Sequence, residues 1–233
     1  SLAPLSALAT AVFGLLFWRA SIGCVAYRAA EALEKPQYST IGTIDGMEIR
    51  RYQPYLIAEV KSKGETYRKA TGNGFKQIAG YIFGKNKAKG SADPLKMKMT
   101  APVRSVLKMP ESSAPKEDQK SDVTLSFYMG SDYTLNSLPK PLNKNVTLKR
   151  VPGHYLAVKK FSGPSPKLSK VAACREAIVK ALKDNGLAVP RDCKDYTYLY
   201  QYHDPFITPG FLRKNEVGVA VAKNKILKDM ETE

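Results

Sequence analysis

Tyr202-His203-Asp204-Pro205-Phe206-Ile207-Thr208-Pro209-Gly210-Phe211-Leu212-Arg213-Lys214-Asn215-Glu216-Val217 is the most informative stretch of this chain. Two prolines and a glycine stiffen it as a loop that presents Phe206, Ile207 and Phe211. Arg213, Asn215 and Glu216 then lead straight into Val217, Val219 and Val221, the alternation of a strand with one buried face. Loops ordinarily expose polar side chains, so a stiff loop holding three large apolar ones needs a cover. A packed core is one such cover, and a flat hydrophobic ligand is the other.

Working outward from that strand, the chain past Gln37 repeats one plan twice. The first half predicts strands at Ile41 to Ile44, Met47 to Tyr52 and Tyr55 to Val60, with the Asp45-Gly46 pair as a hairpin turn. A helix from about Thr66 to Phe83 follows, then a strand from Val123 to Met129. The second half predicts a strand at Val146 to Val151, a Pro152-Gly153 turn and a strand from His154 to Phe161. A helix from about Ser165 to Asp184 and strands at Tyr196 to Tyr202 and Val217 to Ala222 complete it. Helical spacing groups Phe75, Ile78, Ala79, Ile82 and Phe83 on one face, and Leu168, Val171, Ala172, Ile178, Val179 and Leu182 on the other helix. Gly84 and Gly186 stand where a left-handed residue ends each helix. Tyr196, Tyr198, Tyr200 and Tyr202 alternate along one strand face, as barrel core or an interface ahead of a stacking surface for a ring system. Two stretches read as surface excursions: basic Gly84 to Lys98, and Pro/Ser/charge-rich Met109 to Asp122.

Lysine and arginine outnumber acidic residues 37 to 21, a formal charge of +16 that favours anionic partners. No nucleic-acid-binding motif accompanies that charge, so nucleic acid is not an expected partner. Cys24, Cys174 and Cys193 show no paired spacing, and two histidines are too few for a multi-histidine metal centre. Thr71-Gly72-Asn73-Gly74 lacks the strand and lysine of a phosphate loop, and nothing pairs Asp204 with Glu216 as acid and base. No catalytic constellation is legible, and the chain is read as a binding protein and not an enzyme.

Leu2 to Trp18 contains no charge, and as a helix it would span roughly 25 Å, the short end of a bilayer crossing. Trp18 and Arg19 suit the headgroup boundary, and residues 2–27 are the expected membrane contact. A docked amphipathic helix and a residual signal peptide are the competing readings. The expected division is 1–36 as hydrophobic helix and stalk, 37–223 as a single domain, and 224–233 as a charged tail.

Four ordered pieces carry a family resemblance. They are Ile49-Arg50-Arg51-Tyr52 with Pro54-Tyr55 and Ala58-Glu59-Val60; Gly74-Phe75 opening a helix; Met99-Thr100-Ala101-Pro102-Val103; and the loop quoted first, running into Arg213, Asn215, Glu216 and Val217. Over roughly residues 37 to 223 the chain resembles the SOUL/haem-binding-protein family. The resemblance implies an α+β fold: a distorted antiparallel β-barrel of two diverged β–α–β–β repeats, one long helix in each. It also implies haem or another tetrapyrrole in a shallow groove between the first helix and the last interstrand loop. Carried across, that groove uses Phe75, Ile78, Ala79 and Ile82 with Phe206, Ile207 and Phe211, while Arg68, Lys69, Lys76 and Arg213 are the cations for propionates. His154 and His203 are the candidate axial ligands, although family members do not all use a histidine.

Two functions follow as expectations. The first is a membrane-tethered tetrapyrrole carrier or buffer. The second is an accessory subunit of an organellar membrane complex, with the barrel as a docking module. Family habit points to a chloroplast thylakoid before a mitochondrial inner membrane.

Overall fold

The computed structural model describes residues 21–91, 93–109, 117 and 120–231. The expected membrane segment, Leu2 to Trp18, lies outside the described residues, as does most of the Met109–Asp122 excursion. Among the described residues no helix is long and apolar enough to cross a membrane. The chain enters with a helix over residues 21–31, here α1. It continues into β1 (Tyr38–Ile44) and turns at Asp45 and Gly46, whose φ of 46° and 73° are the two positive angles of a tight hairpin, into β2 (Met47–Tyr52).

From there the duplication is visible in the pairing. The first half runs β2, β3 (Tyr55–Gly64), α2 (Tyr67–Ile82), a short β4 (Asn86–Lys87), β5 (Val103–Lys108) and β6 (Ser121–Tyr128). After β7 (Lys140–Pro141), which pairs with β4, the second half runs β8 (Val146–Val151), β9 (His154–Ser162), α3 (Leu168–Asp184), β10 (Tyr196–Gln201) and β11 (Lys214–Ala220), before α4 (Lys225–Asp229). The main sheet is antiparallel in the order β1-β2-β9-β11-β10-β5-β6-β3-β8. Exchange β2 with β8, β3 with β9, β5 with β10 and β6 with β11, and the order from β2 to β8 reads the same backwards. The repeat is therefore a pseudo-two-fold between β5 and β10, with each half lending its first strand to the other. The longest strand that sequence periodicity misses is β5, because Val103 stands at the end of the Thr100-Ala101-Pro102 turn and reads as part of it; the two-residue β4 and β7 are too short to show a period.

The expected closed barrel is corrected by the same pairing. The row ends at β1 and β8, and no ladder joins them among the described residues. The sheet curls instead around side chains. Tyr52, Tyr55, Ile57, Tyr128, Leu156, Val158, Tyr200 and Tyr202 form one buried cluster on its concave face, although β2 and β3 lie far apart in the row. Tyr200 and Tyr202 are thus core, and burial raises both phenols so that they stay protonated. At the heart of this face the fully buried Arg50 meets Glu216 through two bonds, Nη1 to Oε2 at 2.8 Å and Nη2 to Oε1 at 3.0 Å.

On the convex face lie α2 and α3. Thr66 caps α2 by accepting the Lys69 N–H, and Ile82 ends it before Gly84, whose φ of 111° is closed to most other residues. The buried face of α2 is Tyr67, Ala70, Gly74, Ile78, Tyr81 and Ile82. Phe75 and Phe83 are turned outward, a rotation from the expected face. Gly74 explains it: a Cβ there would sit 2.6 Å from Leu125 Cδ1, so the missing side chain lets α2 lie flat on β6 and makes position 74 the contact line. The basic excursion after α2 is anchored by buried Asn86, which donates to the Tyr81 and Leu95 carbonyls and accepts from the Leu95 N–H.

Candidate functional site

The loop between β10 and β11 is built to hold its apolar side chains out. Asp204 Oδ1 accepts the Phe206 and Ile207 N–H groups at 2.7 and 3.2 Å, fixing the first turn. Arg213 closes the loop from the other side, its guanidinium donating to the Thr208 and Pro205 carbonyls. Phe206 is 92% exposed, Phe211 76% and Ile207 52%. The core does not cover them. Arg213, expected to meet propionates, has two donors committed to the loop itself, so its first task is to hold the loop's shape.

Register locates this loop relative to α2. Phe127 of β6 lies opposite Val103 of β5, Val103 opposite Gln201 of β10, and Gln201 opposite Asn215 of β11. Residues directly opposite one another in antiparallel strands share a face, so this rung runs across the helix side of the sheet. Phe75 of α2 packs edge-on against Phe127, with centroids 5.6 Å apart. Gln201 is the last residue of β10, and its side chain donates to Ser165 just before α3. Strand spacing puts Phe127 and Gln201 about 10 Å apart. The half-exposed Phe75 and Ala79 therefore stand on one side of a shallow strip floored by Val103, and the root of the 203–213 loop stands on the other.

The remaining expected residues divide. Ile78 and Ile82 are fully buried in the core and stabilise α2 instead of facing a ligand. Arg68 and Lys76 are exposed on α2, and Lys69 is paired with Glu65. Val103, Phe127 and Gln201 were not singled out from sequence. The signal for Gln201 was present in the tyrosine alternation, which places residue 201 on the opposite face from Tyr200 and Tyr202. From the 110–119 stretch only Glu117 is described, and its carboxylate accepts the Leu168 N–H at the start of α3, where negative charge is favoured.

The two histidines lie at opposite ends of the β9 ladder. His154 begins β9, while the 203–213 loop adjoins its other end, where Ser162 pairs with Lys214; that is about 26 Å along the strand. One iron therefore does not reach both. His154 stacks on Tyr52 at 5.1 Å with Nδ1 2.9 Å from the Pro152 carbonyl, and burial lowers its pKa. His203 Nδ1 accepts the Lys214 N–H at 3.1 Å, which leaves the proton on Nε2, 3.4 Å from Glu31 of α1. Its ring stacks on Tyr27 at 4.8 Å, and burial lowers its pKa against the opposing pull of Glu31. With Nδ1 bonded to the Lys214 N–H and one face on Tyr27, His203 packs α1 against the loop, while Nε2 lies 3.4 Å from Glu31 without a hydrogen bond. Among the described residues no cluster of His, Cys, Asp and Glu gathers to hold a metal ion.

A family model described as SOUL heme-binding protein matches residues 33–220. Heme-binding protein 2 of Mus musculus is 31% identical over 137 residues, 57% of this chain and 62% of that protein, so less than two thirds of the relative's length is spanned. Among solved structures, the EcmrR C-terminal domain aligns with a TM-score of 0.54 at 13% identity, covering 80% of this chain and 99% of that one. An EcmrR–DNA complex aligns with a TM-score of 0.50 at 10% identity, over 95% of this chain and 70% of that one. At such identities these two show the fold alone. The helix α1 lies ahead of the matched segment.

Proposed function

We propose, for a chain that belongs to the SOUL heme-binding protein family, that it binds haem or a related tetrapyrrole in the strip between α2 and the 203–213 loop, for carriage or buffering. The observation that carries this reading is the loop itself: three apolar side chains held outward by Asp204 and Arg213, on a loop whose root lies about 10 Å across the sheet from Phe127, against which the half-exposed ring of Phe75 packs. Apolar walls suit the faces of a macrocycle, and the cations on α2, Arg68 and Lys76, stand where carboxylates at its edge are attracted. Phe206, Phe211 and Phe75 exclude water from the ring faces; Val103 and Gln201 set how deep it sits. His203 Nδ1 is taken by the Lys214 N–H and Nε2 is buried against Glu31, which favours binding by the ring faces over ligation from this loop.

We further propose that residues 2–27 tether the domain to an organellar membrane, with a chloroplast thylakoid ahead of a mitochondrial inner membrane. The uncharged run Leu2 to Trp18 supports this part of the reading.

The test is a haem and protoporphyrin titration of the full chain in mild detergent, followed by absorbance, with Phe206→Asp and Leu142→Asp in parallel. Both positions are exposed, so neither change disturbs the core. Saturable binding, weakened about tenfold or more by the loop variant alone, is expected from losing one buried aromatic contact and placing a charge in its stead. Equal binding by all three proteins would remove the loop from the site.

A further inference from the structure

We propose that the tip of the 203–213 loop is a wedge that rests in the headgroup layer of an anionic bilayer, together with Ile22 and Val25 of α1, so that the ligand strip opens beside lipid. This rests on the membrane-tether part of the proposed function and is independent of its ligand part.

The path of the chain carries the inference. Two contacts fix how α1 lies along the loop: Gly23 is against Pro209 near the tip, and Tyr27 and Glu31 are against His203 at the root. A Cβ on Gly23 would come within 2.6 Å of the Pro209 ring, so helix and loop approach as closely as they can. From Gly23 to Glu31 the helix advances about 12 Å, from tip to root. The N-terminal end of α1 is thus at the loop tip, and the chain arrives there from Leu2 to Trp18, a run with no charged residue. The described chain thus begins beside the loop that carries Phe206, Ile207 and Phe211.

Exposure and charge agree with a lipid surface. Val25 is 69% exposed and Ile22 is exposed one turn before it, so the N-terminal end of α1 carries two apolar side chains on the side turned away from the loop. The loop is held open by its own hydrogen bonds and does not collapse onto the sheet, which leaves its aromatic rings unsatisfied in water. Aromatic side chains are favoured at the boundary between headgroups and hydrocarbon. Arg19, Arg28, Arg213 and Lys214 flank this part of the sequence. Of the acids, Asp204 is turned onto the Phe206 and Ile207 N–H groups and Glu31 onto His203. A chain of formal charge +16 fits anionic headgroups better than it fits a second copy of the same cationic surface.

The experiment uses tryptophan as a depth probe in the full chain. Trp18 is the single tryptophan, so the parent protein reports on the N-terminal run, and a Trp18→Phe background frees the signal for other positions. Phe206→Trp, Phe211→Trp and, as a solvent control, Leu142→Trp are each placed in that background; all three sites are exposed. The proteins are reconstituted into phosphatidylglycerol-containing vesicles whose acyl chains carry bromine at a shallow depth. Quenching several-fold stronger at 206 and 211 than at 142 is expected. Solvent-like, unquenched emission at both loop positions overturns the proposal. So does blue-shifted emission that lipid bromine leaves unquenched, which would mean that the N-terminal run or a second copy covers the loop. If Trp18 in the parent is quenched while the loop positions are not, the tether stands and the wedge falls. Chain that fails to float with vesicles removes both. Haem binding enters none of these readouts.

Discussion

Replacing Glu216 with leucine tests the central claim about how the sheet is held, because the pair it breaks is wholly buried. Arg50 and Glu216 have no exposed side-chain surface, and Arg50 Nη1 and Nη2 meet the two carboxylate oxygens at 2.8 and 3.0 Å. Tyr202 adds a hydroxyl donated to Oε2 at 2.7 Å. Burial disfavours both charges, yet the mutual hydrogen bonds outweigh it: Arg50 is pushed up and Glu216 held below the ordinary carboxylate range. Glu216→Leu strands the guanidinium, with Glu48 at 2.8 Å as its remaining carboxylate and that group partly in water. Removing one partner of a buried pair costs about 3–5 kcal/mol, and the surviving contact to Glu48 argues for the lower end. For a domain of this size that lowers Tm by about 6–12 °C. Arg50→Met with Glu216→Leu removes both charges and is expected to recover at least about 2 kcal/mol of the summed single losses. Equilibrium denaturation in urea of wild type, both single variants and the double variant supplies the four values. Additive losses would refute the reasoning, since they would mean that the two charges do not depend on each other.

The same pair sets the acid limit. Glu216 and Glu48 are both held below the ordinary value of 4.5, so their contribution is complete above about pH 4.5 and is lost as pH falls through the lowered folded values. Denaturant midpoints should therefore fall steeply below pH 4.5 in wild type and less steeply in the double variant. The glycines of α2 give opposite signs. Around Gly72 a Cβ meets nothing within 4 Å, so Gly72→Ala should stabilise by about 0.5–1 kcal/mol. At Gly74 the Leu125 methyl stands in the way, so Gly74→Val should destabilise by about 1–3 kcal/mol, both read by thermal melts.

What the sequence disclosed depended on whether a signal was local. Period-two alternation marked the tyrosine strand, and Tyr200 and Tyr202 are indeed core. Asp45-Gly46 named its own turn. Helical spacing found both helices, but it assigned Phe75 to the buried stripe because hydropathy ignores the absence of a side chain at Gly74. Barrel closure was illegible for another reason: it depends on whether β1 and β8 meet, and no residue of either strand encodes its neighbour. The partnership of Arg50 with Glu216 joins residues 166 apart in sequence, so a reading of local motifs had each half of it and not the contact. Within the site, Phe206, Ile207 and Phe211 were legible because a stiff apolar loop is anomalous by itself. Val103 and Phe127 were not, since their role comes from strand register.

The duplication sharpens what is special about that loop. Under the pseudo-two-fold, the connection from β10 to β11 corresponds to the one from β5 to β6. The two occupy equivalent places on equivalent frames, yet their chemistry is opposed. Residues 110–120 read Pro-Glu-Ser-Ser-Ala-Pro-Lys-Glu-Asp-Gln-Lys, and Glu117 turns its charge onto the start of α3. Residues 204–213 leave Phe206 and Phe211 largely exposed and Ile207 half exposed. Had apolar exposure been a requirement of the architecture, both connections would carry it. The frame accepts a charged connection at one equivalent position, so the apolar one answers to something outside the frame, whether a macrocycle on its inner side or lipid at its tip.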